Sequence, residues 1–181
     1  LDPNQHFPLA TLSEEIAQNT VTCIAPSKTF NLAGLFASSV IIPNDSLRRR
    51  FSVAEEKVHL SANPFGIVAA EAAYRQGQEW LEELLAYLAS NIAFVRNYLA
   101  AEFPEVTVSP AEATYMLWMD FRRLGLEPSE VKRRLIENAG LGLVEGPVIG
   151  AGGEGFQRMN IGCPRSTLEI AMERLHKIKT G

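Results

Sequence analysis

Leu81, Leu84, Leu85, Leu88, Ile92, Val95 and Leu99 recur in steps of three and four, with polar and charged residues filling the gaps. Such steps place side chains on one face of an α-helix. A helix of about 20 residues is expected there. It would span roughly 30 Å, enough to connect two layers or two domains. Upstream the apolar runs are shorter and β-branched. Residues 21–24 and 38–42 read as short buried strands, the second stopped by Pro43. Thr11 and Glu14 match a capping box, so a short helix is expected around them. Asn44 can cap a helix that carries Arg48, Arg49 and Arg50. Asn63 and Pro64 precede a helix over residues 65–75, broken by Gly77.

Beyond Pro104 the texture changes. Residues 106–108, 115–120, 143–145 and 156–161 read as strands. Pro128, Ser129 and Glu130 open a helix that ends near Gly140. The run GPVIGAGGEGF is a glycine-rich loop, expected to be mobile, that leads into the strand of Arg158. A second capping box, Ser166 with Glu169, is expected to start the last helix, which buries Leu168, Met172 and Leu175. This half reads as a small α+β domain with an antiparallel sheet. The implied division is residues 1–77 and residues 78–181.

Composition narrows the classes. The chain has 181 residues, 46% hydrophobic and 21% charged, which fits a packed globular protein rather than a disordered one. A net charge of -4 gives no general attraction to nucleic acid or to an anionic membrane. The three consecutive arginines read as a solvated helix face. Cys23 and Cys163 match no metal spacing and make no disulfide framework, so a reducing cytoplasm is expected. His6, His59 and His176 are scattered, with no ligand partner at helical spacing. No apolar run approaches the ~18 residues of a membrane span. The glycine-rich loop lacks the Gly-Lys-Ser/Thr ending of a phosphate loop. The chain opens at Leu1 without a methionine, which suggests a piece of a longer protein.

One lysine stands out. Lys28 lies in CIAPSKTFNLAGL, the only charge in that stretch, just past an apolar run. A lysine amine attacks carbonyls only when unprotonated, and desolvation or a neighbouring cation makes it so. By position alone the better reading is a plain surface lysine.

The string APSKTFNLAGL resembles the cofactor-lysine segment of fold-type I pyridoxal-phosphate (PLP) enzymes. More narrowly, it is similar to the MalY/PatB group of cystathionine β-lyases in the class I/II aminotransferase superfamily. GEGFQRMNIGCPRSTLEIAMERL resembles the C-terminal segment of the same enzymes. NPFGIVAAEAAYRQGQEWL and ATYMLWMDF agree in order and spacing. The resemblance covers the whole chain. It implies the PLP-dependent transferase fold, α/β with α+β: part of the large cofactor-binding domain in residues 1–77, then a connecting helix and the small C-terminal domain in residues 78–181. The family's N-terminal half would precede Leu1. It carries the aspartate that pairs with the pyridine nitrogen, the aromatic residue that stacks on the ring, and part of the phosphate cup. This piece alone is therefore expected to be inactive.

The resemblance assigns Lys28 as the Schiff-base lysine, with Ser27 beside the phosphate. It assigns Arg158 to the substrate α-carboxylate, which a planar guanidinium grips with two parallel hydrogen bonds. Arg165 is a rival for that role but looks more like a helix-start residue. Asn63 falls in the segment sent toward the neighbouring subunit's cofactor, and Tyr115 in a strand whose start faces the substrate. Each has a plainer alternative, a turn asparagine and a half-buried strand tyrosine. Aminotransferases usually carry an arginine two places after the glycine that follows the lysine segment. Here Gly34 is followed by Leu35 and Phe36. MalY-like lyases lack that arginine too, so the implied activity is C–S β-elimination from cystathionine or another cysteine conjugate, giving thiol, pyruvate and ammonia. An aminotransferase on the same scaffold is the alternative, and an inert regulatory or dimerisation module is a further one. The implied partners are an amino-acid substrate and a second subunit of a homodimer. The reading requires the Lys28 amine to be shielded from bulk water in a cavity shared with Arg158.

Overall fold

In the computed structural model, which describes residues 6–58 and 61–179, Ser13 rather than Thr11 starts the first helix. Ser13 accepts from the Ile16 N–H at 3.2 Å and opens α1 (Glu14–Gln18), while Thr11 closes a 3-10 turn, Leu9–Thr11, through its hydroxyl bond to the Pro8 carbonyl. The hydroxyl three residues before the relevant N–H makes the cap, so the box begins two places later than the pattern suggested. His59 lies outside the described residues.

The described residues form two compact units, one ending at Glu83 and the other beginning at Leu84. In the first, β1 (Thr22–Ile24) pairs antiparallel with β2 (Ser39–Ile41), Cys23 opposite Val40. These strands fall where the apolar runs placed them, but they are not buried. Ile24, Val40 and Ile41 are all exposed. A two-stranded ribbon has two faces, and the short elements around this one leave its apolar side chains uncovered. A 3-10 turn, Ala33–Leu35, lies between the strands. Asn44 caps α2 (Asp45–Lys57), accepting from the N–H groups of Ser46 and Leu47 at 2.9 and 3.1 Å. Arg48, Arg49 and Arg50 are exposed on that helix, as expected of a solvated face, and Arg48 pairs with Asp45. Asn63 caps α3 (Pro64–Gln76), where Pro64 suits the first turn because its missing N–H would have no helical partner. Gly77 ends α3.

The long apolar stripe forms α4 (Gln78–Glu102), within which the chain passes from one unit to the next. Leu88, Ile92, Val95 and Leu99 are buried, whereas Leu85 at the start of the stripe is exposed.

The second unit builds one four-stranded antiparallel sheet from β3 (Thr107–Val108), β4 (Met116–Asp120), β5 (Val144–Glu145) and, after α6 (Gly146–Ile149), β6 (Phe156–Asn160). The strand order is β3-β4-β6-β5. Between β4 and β5 lie a 3-10 turn, Arg122–Leu124, and α5 (Pro128–Arg133), which widens into a π turn, Arg134–Asn138. Glu130 accepts from both Arg133 and Arg134, and these two guanidinium groups hold its carboxyl down at about 2. Chain order closes with α7 (Arg165–Leu175) and a 3-10 turn, His176–Ile178.

Alternation decides what the sheet buries. Leu117 and Met119 of β4 and Met159 of β6 face a core completed by Val95, Leu99, Val131, Leu135, Leu168 and Met172 from the helices. Each fully buried apolar side chain contributes about 1.5–3 kcal/mol. Leu168, Met172 and Leu175 are buried as α7's spacing predicted, but the expected capping box is absent. Pro164 is the N-cap, and Ser166 already lies inside the helix. The glycine-rich run is not loop throughout. It contains the single turn α6, and the backbones of Gly146 and Gly153 meet with no room for a side chain between them. The described residues hold no helix long and apolar enough to cross a membrane.

Candidate functional site

Lys28 sits in a turn closed by two backbone bonds. The Phe30 N–H donates to the Pro26 carbonyl at 2.9 Å, and the Leu32 N–H donates to the Ser27 carbonyl at 3.1 Å. Pro26 is buried, Ser27 half-buried, Lys28 and Thr29 exposed. The expectation that Lys28 is shielded is therefore corrected for this chain. The turn packs through Phe30 on Tyr74 and Trp80, while the Lys28 side chain itself stays exposed. Asn31 and Phe36 both adopt left-handed backbone, φ 55° and 49°, which bends the segment on either side of the 3-10 turn. Phe36, at the place where the superfamily's arginine would stand, is exposed.

Arg158 occupies the middle of β6. Its cross-strand neighbours are Trp118 on β4 and Val144 on β5. Gln157 and Met159 turn to the core, so Arg158 shares the other face with Phe156 and Asn160. Trp118 stacks on Phe156 with centroids 5.3 Å apart, and the Arg122 guanidinium lies 4.5 Å over the Phe156 ring. Arg122 also grips the Asp120 carboxylate through two bonds of 2.9 and 2.8 Å. These bonds hold the Asp120 carboxyl below its ordinary range. The acid of β4 on this face is thus already paired. Arg158 is half-buried, and its guanidinium makes no hydrogen bond or ion pair among the described residues. A half-desolvated fork without a partner is suited to an incoming carboxylate.

Arg165, the rival, is committed elsewhere. It is the first residue of α7. Its Nε donates to Asn91 Oδ1 at 2.9 Å, one terminal nitrogen donates to Ser90 Oγ at 2.8 Å, and its guanidinium lies 4.6 Å over the Phe94 ring. Tyr115 lies just before β4, half-buried at the edge of the core, and its carbonyl accepts from the Ile161 N–H at 2.9 Å. Asn63 spends its side-chain oxygen on the Phe65 N–H at 3.1 Å. Lys28, Ser27 and Asn63 belong to the first unit, Arg158 and Tyr115 to the second.

Asn91 escapes a reading by pattern. It is fully buried on α4, and its Nδ2 donates to the carbonyls of Ile161 and Cys163 at 3.1 and 3.2 Å. With Arg165 held by its oxygen, one side chain fastens the segment that follows the Arg158 strand. The signal was a polar residue inside the apolar stripe, three places after Leu88 and four before Val95. Asn91→Leu strands two carbonyls and frees the arginine. It is expected to lower unfolding free energy by about 3 kcal/mol, since each buried unsatisfied group costs about 1–3. Urea unfolding of the variant measures this loss.

The residues present fit the lysine end of a PLP site. A primary amine and a hydroxyl lie side by side in a turn fixed by its own backbone bonds, and a hydroxyl can donate to a phosphate. No group of three or more His, Cys, Asp or Glu able to hold a metal occurs among the described residues.

Comparison with known proteins gives the same direction. No family model matches the chain. It is 40% identical to cystathionine β-lyase PatB of Bacillus subtilis (strain 168) over 173 residues, 95% of this chain and 45% of PatB. It is 36% identical to the protein MalY of Escherichia coli (strain K12), across 79% of this chain and 37% of MalY. The crystal structure of cystalysin from Treponema denticola, which contains a pyridoxal 5′-phosphate cofactor, superposes with a TM-score of 0.93 at 31% identity, over 99% of this chain and 46% of cystalysin. The chain thus spans less than half the length of these relatives. The likeness to PatB and MalY drawn from the sequence holds, and so does the fold it implied.

Proposed function

We propose, from a chain whose sequence and fold are those of part of the PatB/MalY-type PLP-dependent C–S lyases, that the whole protein cleaves the C–S bond of cystathionine or a related cysteine conjugate. The observation that carries this reading is the match to PatB over nearly the whole chain, Lys28 segment included. Pyridoxal phosphate, when bound, supplies an electron sink for the charge that develops at the substrate Cα.

This chain's residues do the rest. Lys28 Nζ holds the cofactor and, once free, takes the proton from Cα. Ser27 donates its hydroxyl to the phosphate. Arg158 clamps the substrate α-carboxylate and so orients the Cα–H bond. Loss of that proton and departure of the β-thiolate leave a product that water converts to pyruvate and ammonia. Tyr115 and Asn63 would border the substrate and cofactor. The exposed position of Lys28 on this chain requires the remainder of the whole protein to cover it. Residues 1–77 belong, in this reading, to the cofactor-binding domain and residues 78–181 to the connecting helix and the small C-terminal domain. The protein acts in the cytoplasm as a homodimer.

An aminotransferase would return the proton to the cofactor instead of expelling the thiolate. The absence of an arginine at Phe36 favours the lyase. The test is to supply cystathionine to the whole protein with no keto-acid acceptor. Stoichiometric pyruvate and thiol are expected. Product only on addition of a keto acid would overturn the lyase reading in favour of transamination.

A further inference from the structure

The turn that carries Lys28 is seated by an aromatic ring two residues away. Lys28 and Thr29 are exposed, but Phe30 turns inward. Its ring stacks on Trp80 with centroids 6.1 Å apart and meets the edge of Tyr74 at 5.9 Å. Beneath the ring is Gly77, the residue between α3 and α4. A methyl group there would stand 2.6 Å from Phe30 Cε1 and 2.5 Å from the Ala73 carbonyl oxygen, far inside contact distance. At the other end of α3, Gly66 is buried, and a methyl there would collide with the Leu35 carbonyl just past the turn. Gly66 inside α3 and Gly77 at its end thus let the segment that follows Lys28 press against the helix at Phe30 and Leu35. The bonds from Phe30 to Pro26 and from Leu32 to Ser27 close the backbone turn that carries the lysine.

We infer that Phe30, seated in the slot formed by Gly77, Tyr74 and Trp80, is the positioning residue that sets where the Lys28 amine points. The inference rests on the reading of Lys28 as the cofactor lysine. The ring faces Tyr74, Trp80 and Gly77. It acts through the backbone bond between Phe30 and Pro26, so a ring pushed out of its slot drags the turn with it. A displacement of about 1 Å at a reacting group costs up to roughly 100-fold in rate.

The test uses the whole protein and pyridoxal 5′-phosphate itself. The readouts are the rate at which borohydride fixes the cofactor on the protein, followed by mass, and the pH midpoint of the cofactor's visible absorbance. Gly77→Ala, which drives a methyl into the ring, is expected to slow fixation by about 10- to 100-fold and to move the midpoint. Phe30→Leu combined with Gly77→Ala should recover part of the rate, because the smaller side chain relieves the methyl on the ring side while the Ala73 carbonyl still opposes it. Should Gly77→Ala not fold, Phe30→Leu alone serves, with a several-fold loss expected. Wild-type rate and midpoint in the folded variants, while Lys28→Ala abolishes fixation, would overturn this inference and leave the function standing. Undiminished fixation in Lys28→Ala would overturn both.

Discussion

Lys28→Ala in the whole protein is expected to abolish measurable pyruvate release from cystathionine while leaving the fold intact. Proton transfer by a positioned side chain contributes about 10²–10⁴-fold to rate, or roughly 3–5 kcal/mol. Alanine removes that contribution together with the attachment of the cofactor, so the loss should reach the upper end of the range. The fold has no reason to suffer. The Lys28 side chain is exposed and makes no hydrogen bond or ion pair among the described residues, and the turn around it is closed by backbone bonds that alanine keeps. Steady-state pyruvate production, with thermal unfolding as the control for folding, checks both halves. A variant that retained more than a tenth of the wild-type rate would count against the assignment.

Arg158→Ala carries the second large effect, and its form differs. Truncating one partner of a hydrogen-bonded charge pair costs about 2–5 kcal/mol, so kcat/KM should fall by roughly 30- to 5000-fold. Most of the loss should appear as a raised KM, because the carboxylate is gripped before and during reaction alike. Arg158→Lys keeps the charge but not the planar fork and should recover only part of it. Arg165→Lys supplies the contrast. Its guanidinium is occupied by Ser90, Asn91 and the Phe94 ring, so the change should lower stability rather than select against the substrate carboxylate. Kinetics across amino-acid substrates and their decarboxylated analogues separate the two arginines. The Arg158 variants should lose their preference for the carboxylated compound.

Different parts of the molecule were legible for different reasons. The stripe from Leu88 to Leu99 and the triad Leu168, Met172 and Leu175 were readable because burial on one helix face leaves a periodic trace. The four strands of the second unit were readable because turn residues punctuate them. Capping was read less well. Thr11 and Ser166 fit the pattern, but a cap depends on where the backbone leaves helical geometry, and Ser13 and Pro164 hold those places. Burial of β1 and β2 was misread because an apolar run records the surface a segment is built to cover, not what this chain packs on it.

The site divides in the same way. Lys28, Ser27 and Arg158 were found through strings that resemble a family, not through spacing. Their geometry adds what the strings lack: an exposed amine on a pinned turn, and a guanidinium with no partner beside a carboxylate already taken by Arg122. Asn91 and Phe30 carried no readable motif. A polar residue in an apolar stripe and an aromatic near a glycine become informative only when partners 70 and 47 positions away are brought alongside.

In the proposed function, the amine at position 28 is the one that holds the cofactor. Incubating the whole protein with pyridoxal 5′-phosphate, reducing with borohydride and mapping the modified peptide by mass tests it most directly. One phosphopyridoxyl group is expected on the peptide containing Lys28, and less of it where a cysteine-conjugate substrate competes before reduction. A group fixed instead on Lys57, Lys132, Lys177, Lys179 or another lysine of the whole protein, or no fixation in the folded protein, would contradict it.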